Sequence, residues 1–267
     1  MKKLSFLVIA FVAFAMTACN GCKEAPKTDE GKAEQKSFEQ EQVEAKIKQE
    51  IDSLAGLIGN LKQFPFIQEG NKLALTQEEK QVKPDYLLSP SVAEEAQTLA
   101  EKYRILSALS VDRKIAELYE MPVEEYDKAI TKLSADINDP SFKAIEKENA
   151  LFETSSALYD SMKENGRINQ FWQLASAALV EQLFVINKNS DKFLTAFDDN
   201  AANDATYRLI LVLDALDRLT QYDPEVKPVA EALVPLKELN ATTVKELKDQ
   251  LATAKDKIDA ARKALIK

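Results

Sequence analysis

After Arg167 the chain runs through Ile168, Phe171, Trp172, Leu174, Leu179, Val180, Leu183, Phe184, Val185 and Ile186. Its polar side chains there are confined to Asn169, Gln170, Gln173, Ser176, Glu181 and Gln182. A helix that is apolar on nearly every side has no stripe to turn toward water, so other helices must enclose it. The sequence therefore predicts a buried central helix over about residues 167–187, with the rest of the chain arranged as its cover.

The flanking sequence can supply that cover. Ser37-Phe38-Glu39-Gln40 has the form of a capping box, and Val43, Ile47, Ile51, Leu54, Ile58 and Leu61 follow at helical spacing. The same spacing fits heptads, so this first helix could instead form a coiled-coil seam; Gly56 and Gly59 weigh toward packing on the body. Residues 64–84 lack a sustained period and read as a long connection with a helical piece around Gln77–Gln81. Ser89-Pro90 predicts a helix to about Glu120, with Val92, Ala96, Leu99, Tyr103, Leu106 and Leu109 inward. Met121-Pro122 resets the backbone before a helix to Ile137 through Tyr126, Ile130 and Leu133. Asp139-Pro140 then opens another helix toward Glu164, which Asn165-Gly166 stops.

Beyond the central helix the chain predicts a short helix over 190–198, an acidic and amide-rich loop, and a helix from Thr206 to Gln221. The helix that starts at Asp223-Pro224 should be short or kinked, because Pro228 and Pro235 each remove a backbone donor. Asn240–Lys267 closes the chain as a polar helix with Val244, Leu247, Leu251, Ile258 and Leu265 on one face. The expected fold is all-α: a multi-helix bundle of about eight or nine helices over 37–267, as one domain or as two packed lobes divided near 138. Only six glycines in 267 residues argue against a β-sandwich, which needs frequent turns. Tyr103-Arg104-Ile105-Leu106 and Tyr207-Arg208-Leu209-Ile210 resemble each other, but their distances to the following Pro122 and Pro224 differ, so a duplication is not the expected origin.

The first 19 residues carry a different signal. Lys2 and Lys3 precede a run from Leu4 to Ala15 that is apolar except at Ser5, and Met16-Thr17-Ala18-Cys19 ends it. These are the parts of a secretory signal peptide over residues 1–18. A cysteine directly after a small residue at the end of the apolar core resembles the lipobox of bacterial lipoproteins. That resemblance implies cleavage before Cys19 and lipid on its thiol and new amino terminus. Taking Cys22 as the lipid site would put Cys19 where such motifs carry an aliphatic residue; Met16 likewise stands where leucine is common. The resemblance covers residues 1–19 alone and implies a lipid-anchored protein of the bacterial cell envelope, at the outer membrane. Lys23-Glu24 resembles part of the lysine-plus-acidic signal of surface lipoproteins, so the periplasmic side and the surface both stay open.

Residues 19–36 are polar, contain Pro26 and read as a disordered tether. A flexible chain of that length spans about 23 Å. Loss of Lys2 and Lys3 with the leader moves the formal charge from -9 to -11. So acidic a body is repelled by nucleic acid and by anionic headgroups, which excludes nucleic acid as a partner and leaves the lipid on Cys19 as the membrane contact.

Composition also removes chemistry. With no histidine, the chain cannot build a Ser-His-Asp or Cys-His device, a His-ligated zinc or a histidine haem site, and it lacks the Gly-x-His-x-x-Glu motif of imelysin-like helical proteins. Cys19 and Cys22 are the only cysteines, so no disulfide can staple the body. P-loop, dinucleotide and nucleophile-elbow motifs are missing, and no cofactor or catalytic residue is expected. Asp198, Asn200 and Asp204 form the densest set of hard oxygen ligands, yet the glycine and glutamate of an EF-hand are out of register, and helix capping is the plainer role. Glu181 stands out because a carboxylate inside the apolar helix must find a donor or neutralise. Arg104 and Arg208 are the expected partners, with Asp214 as a possible acid for either, and Trp172 beside Glu181 in a ligand pocket.

Three functions follow as expectations. The first is a lipid-anchored binding or scaffolding module for a protein, peptide or small ligand. The second is a His-independent enzyme with a carboxylate pocket near the central helix. The third is a spacer that self-associates through Val43, Ile47 and Leu54 of its first helix.

Overall fold

The computed structural model of the chain describes residues 38–61, 63–66, 73–142 and 156–266. The leader, Cys19, the tether and the 143–155 part of the helix expected after Pro140 lie outside the described residues. The described chain is all-α, without a strand: α1 Phe38–Gly59, α2 Gln77–Gln81, a 3-10 turn Pro90–Glu94, α3 Leu99–Leu118, α4 Glu124–Ile137, α5 Ser156–Glu164, α6 Ile168–Lys188, α7 Ser190–Phe193, α8 Asp199–Leu219, α9 Lys227–Leu233, α10 Val244–Thr253 and α11 Lys255–Leu265. Phe38–Lys267 is one compact unit, undivided near 138.

Helix α6 is the axis of the bundle. Every residue from Phe171 to Ile186 is buried, the polar ones included. Helix α3 makes its longest contact along α6, and α11, α5 and α8 close around it. Helix α1 packs against α8 and α5. It does so through Ile47, Ile51, Ala55 and Ile58, while Val43 remains half exposed.

Local chemistry explains where the helices begin and end. Two of them close with the same device: Met121 N–H reaches back to Ala116 O at 2.9 Å, and Arg167 N–H to Met162 O at 2.6 Å. In both, the residue just before the reaching amide is left-handed, Glu120 at φ 52° and Gly166 at φ 69°. Glycine adopts that conformation without strain, which is why Asn165-Gly166 was a readable stop. Asn138, at φ 49°, ends α4 in the same conformation.

Three expectations fail at this level. Ser89 does cap, but only the short 3-10 turn. Thr98 then caps α3, with Glu101 N–H at 3.2 Å from its hydroxyl, while the Glu101 carboxylate accepts from Thr98 N–H at 2.8 Å and Gln97 N–H at 2.7 Å. Leu99, at the first position of α3, consequently faces out. The expected acidic loop is the opening of α8: Asp198 accepts from Ala201 N–H at 2.8 Å, and the buried Ala201, Ala202 and Ala205 hold those turns to the core. The connection at 64–84 comes out as expected, with its helical piece at Gln77–Gln81, and it also feeds the core: Phe64 and Phe66 are buried and the Phe66 ring meets Phe193 edge-on at 4.9 Å. Finally, the closing helix is two helices broken at Ala254, a bend that lets Leu247 and Leu251 on one piece and Ile258 and Leu265 on the other all reach the interior.

Candidate functional site

The polar centre of the molecule lies where α3, α6 and α11 meet. Glu181, only 1% exposed, receives a forked bond from Arg262 of α11: Nε to Oε2 at 2.8 Å and Nη2 to Oε1 at 2.7 Å. Such a planar two-point match is the strong form of a carboxylate–guanidinium bond. Arg262 Nη2 also donates to the backbone carbonyl of Tyr86 at 3.2 Å and lies 3.7 Å from Asp112 of α3, which is fully buried. The guanidinium sits over the Phe184 ring, 3.8 Å from its centroid. Asp112 accepts from Leu88 N–H at 2.7 Å, and Tyr126 of α4 donates to Leu88 O at 2.7 Å. The segment 86–88 is thus strapped to the bundle by one acid, one arginine and one phenol.

This geometry sets the electrostatics. Burial, then the neighbouring Glu181, pushes the Asp112 carboxyl well above the ordinary carboxylate range; the Leu88 N–H and Arg262 act the other way and are outweighed. Burial also raises the Tyr86 and Tyr126 phenols, with Tyr119 adding to the first and Asp112 to the second.

Beside the strap lies a surface cleft of about 420 Å³, lined by Val82, Lys83, Pro84, Tyr86 and Tyr119 and closed by Lys188 and Asn189 at the end of α6. Lys83 Nζ donates to the carbonyl oxygens of Tyr119 and, at 3.4 Å, Glu120. Lys188 lies over the Phe184 ring at 4.4 Å and 3.4 Å from Asp259. Asp85 also lines the cleft. The buried Tyr86 hydroxyl makes no hydrogen bond among the described residues.

The expected partners of Glu181 are elsewhere. Arg104 donates to Leu265 O at 2.7 Å and to Gln173 Oε1 at 2.8 Å. Gln173 lies eight residues before Glu181, roughly 12 Å away along the axis. Arg208 donates to Leu61 O at 3.2 Å, and burial lowers its guanidinium to about 10 against the opposing pull of Asp204. Asp214 pairs with Arg218 at 3.1 Å, not with either expected arginine. Trp172 is fully buried, edge-on to Phe171 at 5.3 Å and to Tyr159 at 6.4 Å. Nine residues separate Trp172 from Glu181, and about 100° per residue puts them on opposite faces of α6, so they cannot line one pocket. Asp198 serves as a cap and Asp199 accepts from Val244 N–H at 2.8 Å. Asn200 and Asp204 join no metal cage, and among the described residues no group of three or more His, Cys, Asp or Glu is arranged to hold a metal.

Sequence reasoning missed Asp112, Arg262 and the cleft. Asp112 did leave a signal: Ile105, Leu109, Asp112 and Ile115 share one inward stripe of α3, and an acid in such a stripe needs a partner. Arg262 sits beside the stripe of Ile258, Ala261 and Leu265, where an arginine is ordinary. Lys188 comes from a part of the chain distant from Lys83 and Tyr86, and no local pattern joins them. No protein-family model, no curated protein and no solved structure matches the chain.

Proposed function

We propose that the chain is a lipid-anchored protein of the cell envelope whose helical body binds a small ligand bearing an anionic group. The anchor reading comes from Cys19 at the end of the apolar leader. In keeping with it, no helix among the described residues is long and apolar enough to cross a membrane. The single observation that carries the binding reading is the cleft at the end of α6. It brings Lys83, Lys188, the Asn189 amide and two tyrosines around one opening, with Asp85 in the lining and Asp259 paired to Lys188 from outside it. Lys83 is bonded there to backbone carbonyls, which hold it without cancelling its charge. Glu181 and Trp172 take no part, because both are closed off inside the bundle.

Two measurements test this reading. In fractionated cells, Cys19→Ser should leave the body folded and move it from the membrane to the soluble fraction; a variant that stays in the membrane refutes the anchor. Titration of the full chain with acetate and with inorganic phosphate should shift the amide resonances of Tyr86, Tyr119 and Asn189, and Lys188→Ala should weaken those shifts. Resonances that stay put with both probes refute an anion site.

A further inference from the structure

We propose that Asp112 and Glu181 hold one shared proton in the folded body, donated by the Asp112 carboxyl to Glu181, and that this proton makes the fold more stable in mild acid than at neutral or alkaline pH. Both carboxyls are out of contact with water, at 0% and 1% exposure, and each has an oxygen against the same nitrogen, Arg262 Nη2. One cation, Arg262, faces both, 2.7 Å from Glu181 and 3.7 Å from Asp112. A single guanidinium balances a single negative charge, and a second buried charge would be left without compensation.

The oxygens of Asp112 divide accordingly. Oδ2 accepts from Leu88 N–H, whereas Oδ1 is buried and receives no donor among the described residues. An unprotonated Oδ1 would be a desolvated acceptor with nothing to accept. A protonated one is a donor beside a carboxylate. Among the described residues, no other neighbouring cation is free to balance a second negative charge. From α4 comes the Tyr126 phenol, and from the strap come the Tyr86 phenol and Asp85. Tyr119 follows α3, and α11 adds Asp259 beside Arg262. The nearby cation Lys188 is directed to Asp259 and the Phe184 ring.

The sign follows from linkage. An unfolded aspartate titrates near about 3.9, below the folded Asp112, whose value is raised. Below that pH both states keep the proton and the full contribution is present. As pH rises the unfolded chain gives up its proton first, so stability falls until the folded carboxyl titrates in turn. Within that window the unfolding constant grows by about tenfold per pH unit. In a chain with no histidine, this pair supplies a proton switch by another route. Surface acids such as Glu101, lowered by the Thr98 amide, contribute in the opposite sense at low pH, so the effect is read as a difference from a variant.

The experiment compares the full chain with Asp112→Asn, which keeps a donor toward Glu181 but has no proton to lose. At about pH 7 the infrared spectrum of the wild type should contain the carbonyl stretch of an un-ionised carboxylic acid, and that of Asp112→Asn should lack it. In urea unfolding from about pH 5 upward, the wild-type unfolding constant should climb relative to the variant by up to about tenfold per unit. A wild-type spectrum without the band, or equal pH slopes for the two proteins, overturns the proposal. Should Asp112→Asn fail to fold, the wild-type band and its loss on raising the pH decide alone.

Discussion

Two arginines, Arg104 buried and Arg262 partly buried, fasten α11 to the centre of the molecule, and they do it by different physics. Arg262, on α11 itself, reaches inward to the carboxylate of Glu181 and toward Asp112. Arg104, on α3, reaches outward to Leu265 O, the last carbonyl of the same helix, and to the neutral side chain of Gln173. The first cation is met by a full opposite charge, the second by an amide and the partial negative charge at a helix C-terminus. Burial lowers the Arg104 guanidinium, with Glu101 opposing; burial also pulls Arg262 down, but Glu181, Asp112 and Asp259 together outweigh it and raise that guanidinium. Depth of burial alone therefore does not set the consequence. What matters is what a removed partner leaves behind.

The sharpest way to break this comparison is Arg262→Met. It strands Glu181 and Asp112 in the interior without a cation, and loss of one member of a buried ionic network costs about 3–5 kcal/mol. Urea unfolding at neutral pH should show that loss, and it should shrink in acid, where the abandoned carboxyls can take up protons. Arg104→Met should cost less, about 1–3 kcal/mol, because it abandons a carbonyl and an amide but no charge. If the two substitutions cost the same at every pH, burial rather than charge sets the value of both contacts.

A related pairing shows why such contacts escaped sequence reading. Arg104 and Arg208 lie in matching Tyr-Arg stretches, and both donate to a carbonyl at or just beyond the end of another helix, Leu265 of α11 and Leu61 after α1. The side chain types suggested a search for carboxylates. The bundle instead presented helix ends at those places, and the backbone oxygens left open there accept from a buried guanidinium. Trp172 fails for a geometric reason of the same kind. Its nine-residue separation from Glu181 looks close on paper but places the two on opposite sides of one helix.

The strap at 86–88 and the cleft beside it lay further beyond reach. The Tyr86 carbonyl and the Leu88 amide are backbone groups, which every residue carries, so no residue pattern marks them as ligands for Arg262 and Asp112. Lys83 and Lys188 are separated by more than a hundred positions, and the ordinary surface role of lysine gave no reason to join them.

By itself the sequence determined the helical class, the enclosure of residues 168–186, the glycine stop at Gly166 and the need of Glu181 for a partner. Each of these follows from local backbone preference or from the cost of exposing or burying a side chain, and neither depends on which helices become neighbours. The tertiary structure alone decided that α3 and α11 flank α6, that Arg262 meets Glu181 in place of Arg104 or Arg208, and that Asp112 shares the site. A bundle can enclose an apolar helix in many arrangements of nearly equal burial, and hydrophobic attraction has no direction with which to choose among them. Directional bonds among buried polar groups do choose, and their partners come together only after the chain has folded.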